Sequence, residues 1–459
     1  MPSFKSSVCV FAVFGAMVAA GAETKVGREA DGSLSVTLPA NAGALIEYEP
    51  VFRAAEPVWH AGHETEMNEQ LSFRGVFEWR GGKKPVMRLA SSNPYRVKVN
   101  GKFAWYGPAR GPKGFFRCDE ILLAAKPGAN LIEVECAGYN CANFYFQKQP
   151  SFLQAEVEAD GKAVLRTAAK PGDGMLSAYA TGRVRKVSRY SHARAFGEAY
   201  QLPEERGATL PLAVQPDVPL LPRIVSAPDF SVADDFLPVA VGACPYDGKC
   251  ETKKVGFIEG AGKPGMDGYP KAELVYDLWD GQQRFKPVEG PAPAKADAYA
   301  LAAGEHVRFD APKNRTGFPA LTVKCLEAGE LHILFDEHPV PEEFKPWRSV
   351  VANHIVWKFE KPGEYEVEAF EPYVLKVLEI VAKGGRFEVS APRLRLYRNA
   401  DSRRATFRSS DPEYYTVQGG YFNGEYFYVA VILHGDSSQH RFAAARELLE
   451  YAFANYTRV

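Results

Sequence analysis

Several things are scarce in this chain, and each scarcity excludes a class of function. Basic and acidic residues nearly cancel, 55 against 56 over 459 residues, so the basic excess or clustered basic face of a nucleic-acid footprint is missing. After the N-terminal stretch no apolar run reaches the roughly 20 residues needed to span a bilayer. There is no Cys-x-x-Cys pair and no Cys/His cluster, so a structural zinc site is not expected, and nothing calls for a cofactor. No Gly-x-Ser-x-Gly elbow occurs, which disfavours an esterase. No repeat of fixed period and no low-complexity tract is present.

What is abundant is aromatic and turn-forming: 29 Phe, 22 Tyr, 40 Gly and 33 Pro. That balance suits many short strands joined by turns and disfavours a helical bundle. The length exceeds one core, at about 150 residues per domain. The expected fold is all-β: two antiparallel, jelly-roll-like β-sandwich domains followed by a short α/β tail. The expected divisions are an export signal over 1–22, a first carbohydrate-binding-like sandwich over 23–206, a proline-rich linker over 207–252, a second sandwich over 253–408 and a strand-helix tail over 409–459.

The signal rests on Lys5, the apolar run Val8 to Ala20 and the small residues Ala20-Gly21-Ala22 before Glu23. A membrane anchor is the alternative, and the shortness of the run argues against it. The expected location is secreted or periplasmic, with no membrane span after cleavage. Removing Cys9 leaves Cys118, Cys136, Cys141, Cys244, Cys250 and Cys325, an even set that permits disulfides in an exported chain; spacing alone does not fix their pairing.

Asn93 to Glu120 is the most informative stretch. Val97 and Val99 alternate with Arg96 and Lys98, Asn100-Gly101 supplies the two positive-φ residues of a tight hairpin turn, and Phe103 and Trp105 resume the alternation. The run Gly107-Pro108-Ala109-Arg110-Gly111-Pro112 cannot continue a central strand, because proline has no N–H for the ladder, so it is a loop. Trp105, Tyr106 and Arg110 here, with Tyr139, Asn140, Asn143 and Tyr145 on a second segment, are the candidate carbohydrate-binding residues. Aromatic faces stack on a pyranose ring, while Asn and Arg donate directional hydrogen bonds to hydroxyls. Filling the core or a domain interface is the competing role for the same rings.

Inverting glycoside hydrolysis needs two carboxyl groups about 6.5–9.5 Å apart. By sequence the pairs are Asp336-Glu337, Glu342-Glu343 and Asp119-Glu120, each at a strand end or turn where solvated charge is the default. The catalytic residues are therefore unassigned. His60-Ala61-Gly62-His63, followed by Glu64 and Glu66, contains metal-ligand types, but without a helix the two imidazoles need not converge, and a polar surface loop is expected.

The stretches Ser92 to Gly111, Pro127 to Val134, Gly138-Tyr139-Asn140 and Gln149 to Glu156 resemble the N-terminal β-sandwich of bacterial α-L-rhamnosidase-like glycoside hydrolases. Phe309-Asp310, Thr316-Gly317-Phe318 and Phe370-Glu371-Pro372-Tyr373 are similar to their second sandwich, and Ser409 to Glu413 to the lead-in to their catalytic module. The resemblance implies a six-hairpin (α/α) barrel after that point, which needs on the order of 200 residues. From Asp411 to Val459 there are far fewer. The end of the chain, Val429 to Leu433 and Gly435 to Tyr456, is similar instead to the closing strand and helix of serine D-alanyl-D-alanine carboxypeptidases, whose Ser-x-x-Lys and Lys-Thr-Gly motifs are missing. An amphipathic closing helix is the alternative. The expected function is an exported carbohydrate-binding or accessory module, its partner a carbohydrate such as a rhamnose-containing glycan, without the barrel. The alternatives are a glycoside hydrolase using an unrecognised site or a partner chain that carries a catalytic barrel, and a truncated or fused gene fragment.

Overall fold

The computed structural model describes residues 52–399, apart from Lys113, Glu205, Arg206, Ile224 and 339–343, together with two short strands, Lys25–Arg28 and Leu34–Thr37. Those two strands pair antiparallel, with Val26 opposite Val36. The expected export signal and the 409–459 tail lie outside the described residues.

The first sandwich follows from period-two patterning. In Gly128–Gly138, Ile132, Val134 and Cys136 point inward, while Leu131, Glu133 and Glu135 face the other way. This strand is the centre of a five-stranded sheet ordered Ser177–Ala180, Glu69–Trp79, Gly128–Gly138, Tyr95–Val99, Lys102–Gly107. A seven-stranded sheet containing Val58–His60, Val86–Ser91, Phe116–Leu122 and Leu153–Ala159 covers it. Trp59, Phe73, Met87, Leu89, Tyr95, Val134 and Leu153 fill the space between. Each such buried side chain contributes about 1.5–3 kcal/mol of transfer free energy. Both hairpin turns form as the sequence requires: φ is +51° at Asn100 and +76° at Gly101, and +49° at Asp160 and +76° at Gly161.

The second sandwich is built around one long strand, Glu305–Glu327. Its register on Tyr373–Lys383 slips between Asp310 and Arg315. Beyond that bend the strand pairs with Gly363–Glu368 and Arg393–Leu396, so it serves both layers of the sandwich. Phe309, Phe318, Ile333, Trp357, Leu378 and Phe387 belong to this core. Within the expected 253–408 span the first strand is Tyr299–Ala302; residues 253–298 instead hold two short α-helices, Gly256–Glu259 and Leu278–Arg284, a 3-10 turn at Lys271–Glu273 and irregular chain. The proline-rich segment adds edge strands to both sandwiches: Leu212–Val214 pairs with Val58–His60, and Leu237–Ala243 pairs with Glu305–Glu327. Before it, Glu198–Leu202 has already crossed over to pair in parallel with His354–Phe359. Among the described residues no helix is long and apolar enough to cross a membrane. All six described cysteines are free thiols, so the disulfides that an exported chain permits are not formed among them.

The two sandwiches meet along a seam made by Phe370-Glu371-Pro372-Tyr373. Tyr106 of the first sandwich packs edge-on against Phe318, Phe370 and Tyr397. Glu198, fully buried, accepts from the Phe370 and Glu371 backbone N–H groups and the Tyr373 hydroxyl, each at 2.8 Å, and from the Tyr200 hydroxyl. Glu371 in turn accepts from the Tyr139 hydroxyl and from Arg194.

Candidate functional site

The candidate binding residues separate into two groups. Tyr106 and Tyr139 are buried in the seam, and Asn140, also buried, donates its amide to the Thr65 carbonyl. Trp105 packs partly buried on the first core and donates its Nε1–H to Asp119 at 2.9 Å. All four pack against protein: Trp105 and Tyr106, neighbours on one strand, turn to opposite faces, the first core and the second sandwich, while Tyr139 and Asn140 bond to Glu371 and Thr65 just past the end of Gly128–Gly138. Gly107 ends their strand because the approach there is so close. A Cβ on it would stand 2.3 Å from Asp119 Oδ2 and 2.5 Å from the Tyr95 hydroxyl.

Arg110, Asn143 and Tyr145 do converge. They line a groove of about 280 Å³ between the Gly107–Pro112 loop and residues 141–149. The Arg110 guanidinium lies 4.0 Å over the Tyr145 ring and bridges the two loops. Asn143 shapes its own turn: its Oδ1 accepts from the backbone N–H groups of Tyr145 at 2.8 Å and Phe146 at 2.9 Å. The base of this loop is pinned by Asp267, which accepts from Ala142 N at 2.9 Å and pairs with Lys148 at 2.6 Å. On the facing side, Phe115 N donates to the Pro112 carbonyl at 3.1 Å, and Arg117 donates to the carbonyls of Arg110 and Pro222. Both walls are therefore held by their own hydrogen bonds.

The groove is lined as well by Phe115, Phe144 and Gln147, which the sequence reading left out of its candidate set. Phe144 is 72% exposed, Tyr145 46% and Phe115 44%, and among the described residues the only other large aromatic so exposed is Tyr246. The signal available in the sequence was Phe144-Tyr145-Phe146 itself, an aromatic run in a segment with no strand alternation.

The candidate carboxylate pairs are otherwise engaged. Asp119 is fully buried beneath Tyr95, Trp105 and Arg223, Glu120 pairs with Arg88 at 2.8 Å, and Asp336 accepts from the backbone of His338 and Lys345. Glu342 and Glu343 lie outside the described residues. A larger cleft of about 770 Å³ runs between the sandwiches, lined by Arg96, Lys98, Glu135, Glu204 and Glu368 among others. Burial favours a raised Glu135 pKa, but the charges of Lys98, 2.6 Å away, and Arg96 outweigh it and hold the carboxyl below its ordinary value. Glu204 lies at the exposed edge of the same cleft, 3.9 Å from Arg74.

No protein-family model matches the chain, and no curated protein matches it. Solved structures do match. A GH78 family rhamnosidase of Bacillus sp. GL1 superposes with a TM-score of 0.57 at 14% identity, over 78% of this chain and 56% of that one. The fold is rhamnosidase-like. The α-L-rhamnosidase of Streptomyces avermitilis, solved with L-rhamnose, is 14% identical over 73% of this chain and 29% of its own, with a TM-score of 0.39. That of Aspergillus terreus is 11% identical over 74% and 36%, with a TM-score of 0.40. This chain thus spans a little over half the length of the Bacillus enzyme.

Proposed function

We propose that this chain is an exported carbohydrate-recognition module on a rhamnosidase-like fold, taking rhamnose-containing glycans into the groove between the Gly107–Pro112 loop and residues 141–149. The carrying observation is the gathering of Phe115, Phe144 and Tyr145 around one concave, hydrogen-bond-braced groove with Arg110 and Gln147 at hand. Exposed rings grouped this way present apolar faces to a sugar, and the amide and guanidinium groups read its hydroxyls. Export is supported by the signal-like first 22 residues.

Affinity electrophoresis through rhamnose-containing and rhamnose-free polysaccharides tests this. Retention is expected in the former, weakened about tenfold by Phe144→Ala or Tyr145→Ala, the loss of roughly 1.4 kcal/mol of stacking. Equal migration of wild type and both variants would remove the groove from consideration.

A second reading, glycoside hydrolysis, is favoured by the presence of two carboxylates, Glu204 and Glu135, among the residues that line the inter-sandwich cleft. Turnover of an aryl α-L-rhamnoside that is abolished by Glu204→Gln supports it. Turnover that appears only when a barrel-bearing partner chain is added places the chemistry elsewhere.

A further inference from the structure

We propose that His60, His63 and Glu69 form a zinc-class metal site on the first sandwich, distinct from the glycan groove. The three donor atoms all lie within 4.8 Å of one another. His60 closes the strand Val58–His60, Glu69 opens the strand Glu69–Trp79, and His63 sits on the turn between them. That turn is folded tightly. His63 N donates to the His60 carbonyl at 3.0 Å, and Gly62 takes a φ of +79°, which a side chain would strain.

The donor atoms stand at ligand-to-ligand spacings. Glu69 Oε1 stands 3.0 Å from His60 Nδ1 and 3.2 Å from His63 Nδ1. Two ligands about 2.0 Å from a tetrahedral zinc are themselves roughly 3.3 Å apart, so these spacings match a coordination shell. His63 Nδ1 is shielded from water and makes no hydrogen bond, although the carboxylate is near, because it approaches off the line a hydrogen bond needs. The two imidazoles stack with centroids 3.8 Å apart.

The second oxygen is held in place. Glu69 Oε2 accepts from Trp59 Nε1 at 3.1 Å, an outer-shell bond that fixes the carboxylate, while Oε1, hydrogen-bonded to His60 Nδ1 at 3.0 Å, is the oxygen a metal would take over. Glu64 and Glu66, the carboxylates nearest in sequence, turn away: Glu64 accepts from Gly62 N, and Glu66 pairs with Arg185. Two imidazoles and one carboxylate suit zinc and its first-row neighbours, whereas calcium and magnesium want oxygen throughout. Three protein ligands leave one position for water. The site is tied to the groove loop, since Ser151 N donates to the Glu64 carbonyl at 2.7 Å and Asn140 to that of Thr65.

The test is calorimetric titration of untagged, chelator-stripped full chain with zinc chloride and, separately, calcium chloride, with thermal melting alongside. The expected result is one zinc per chain and a raised melting temperature, with no response to calcium. His63→Ala and Glu69→Gln, each confirmed folded by circular dichroism, are expected to bind zinc at least about tenfold more weakly. Absence of zinc binding by the wild type, an equal response to calcium, or unchanged zinc affinity in His63→Ala would each overturn the proposal. Glu69→Gln keeps an acceptor for Trp59, so it reports on the ligand when a larger change would disturb the core.

Discussion

Asp119 shows what a single buried charge does in this molecule. Tyr95 and Trp105 donate to its Oδ2, and Arg223 pairs with its Oδ1 at 2.8 Å. Removing one member of such a set leaves the others desolvated and unpaired. Asp119→Ala is therefore expected to destabilise the fold by about 3–5 kcal/mol, measured by urea unfolding. The same logic governs the buried chain Leu278 carbonyl, His354, His332, Glu330, in which His354 Nε2 and His332 Nδ1 are 2.8 Å apart. Burial and the neighbouring His332 hold His354 well below the ordinary imidazole value. Burial also lowers His332, against the pull of Glu330. For Glu330 burial works upward, but the hydrogen bonds from His332 and Tyr276 prevail and bring it to about 2. All three depressed groups bind protons more readily in the unfolded chain, so this stability is present at neutral pH. The imidazole share is lost as pH falls below about 6.5, with a limiting slope of about 1.4 kcal/mol per pH unit for each imidazole. The Glu330 share follows below about 4.3. Denaturation midpoints taken from pH 7.5 down to 5 are expected to drop, and to drop less steeply in His354→Gln.

Elements were legible where their determinants are local. The Asn100-Gly101 turn could be read because two positive-φ residues between alternating strands have few other solutions. Its side chain adds what the sequence does not announce: Asn100 Oδ1 accepts from Leu131 N, and its amide donates to Asn130 Oδ1, both at 3.0 Å. Asn100→Ala loses both bonds and keeps a left-handed backbone, and is expected to cost about 1–2 kcal/mol by chemical denaturation. The Gly107–Pro112 run was legible as a loop from its prolines. Which aromatics it presents was not, since Tyr106 points away from the groove into contacts more than 200 positions along the chain. His60 and His63 were legible as ligand types, but Glu69 as their partner was not, since it opens the next strand, which pairs with Gly128–Gly138. No spacing rule contains that information.

At the scale of the molecule, the two sandwiches share their most buried polar network. Glu198, on the strand that crosses to the second sheet, receives hydrogen bonds from the Phe370-to-Tyr373 segment, whose Glu371 accepts from Tyr139 of the first. Calorimetry is therefore expected to show the two sandwiches unfolding in one transition. Glu198→Ala is expected to split it or lower its midpoint, because two backbone N–H groups and two tyrosine hydroxyls lose a common acceptor. The all-β architecture was legible from composition and turn spacing. The seam was not, because both of its halves read locally as ordinary strand and turn.

The crossover of Glu198–Leu202 also has a consequence in time. Its partner, His354–Phe359, emerges from the ribosome about 150 residues later, on the order of 10–30 s at usual synthesis rates. Throughout that interval a strand with one buried face and an unpaired edge waits beside a nearly finished first sandwich. Such an edge invites pairing with a neighbouring chain, so the yield of native protein should depend on how fast the chain is made and on what shields that strand meanwhile.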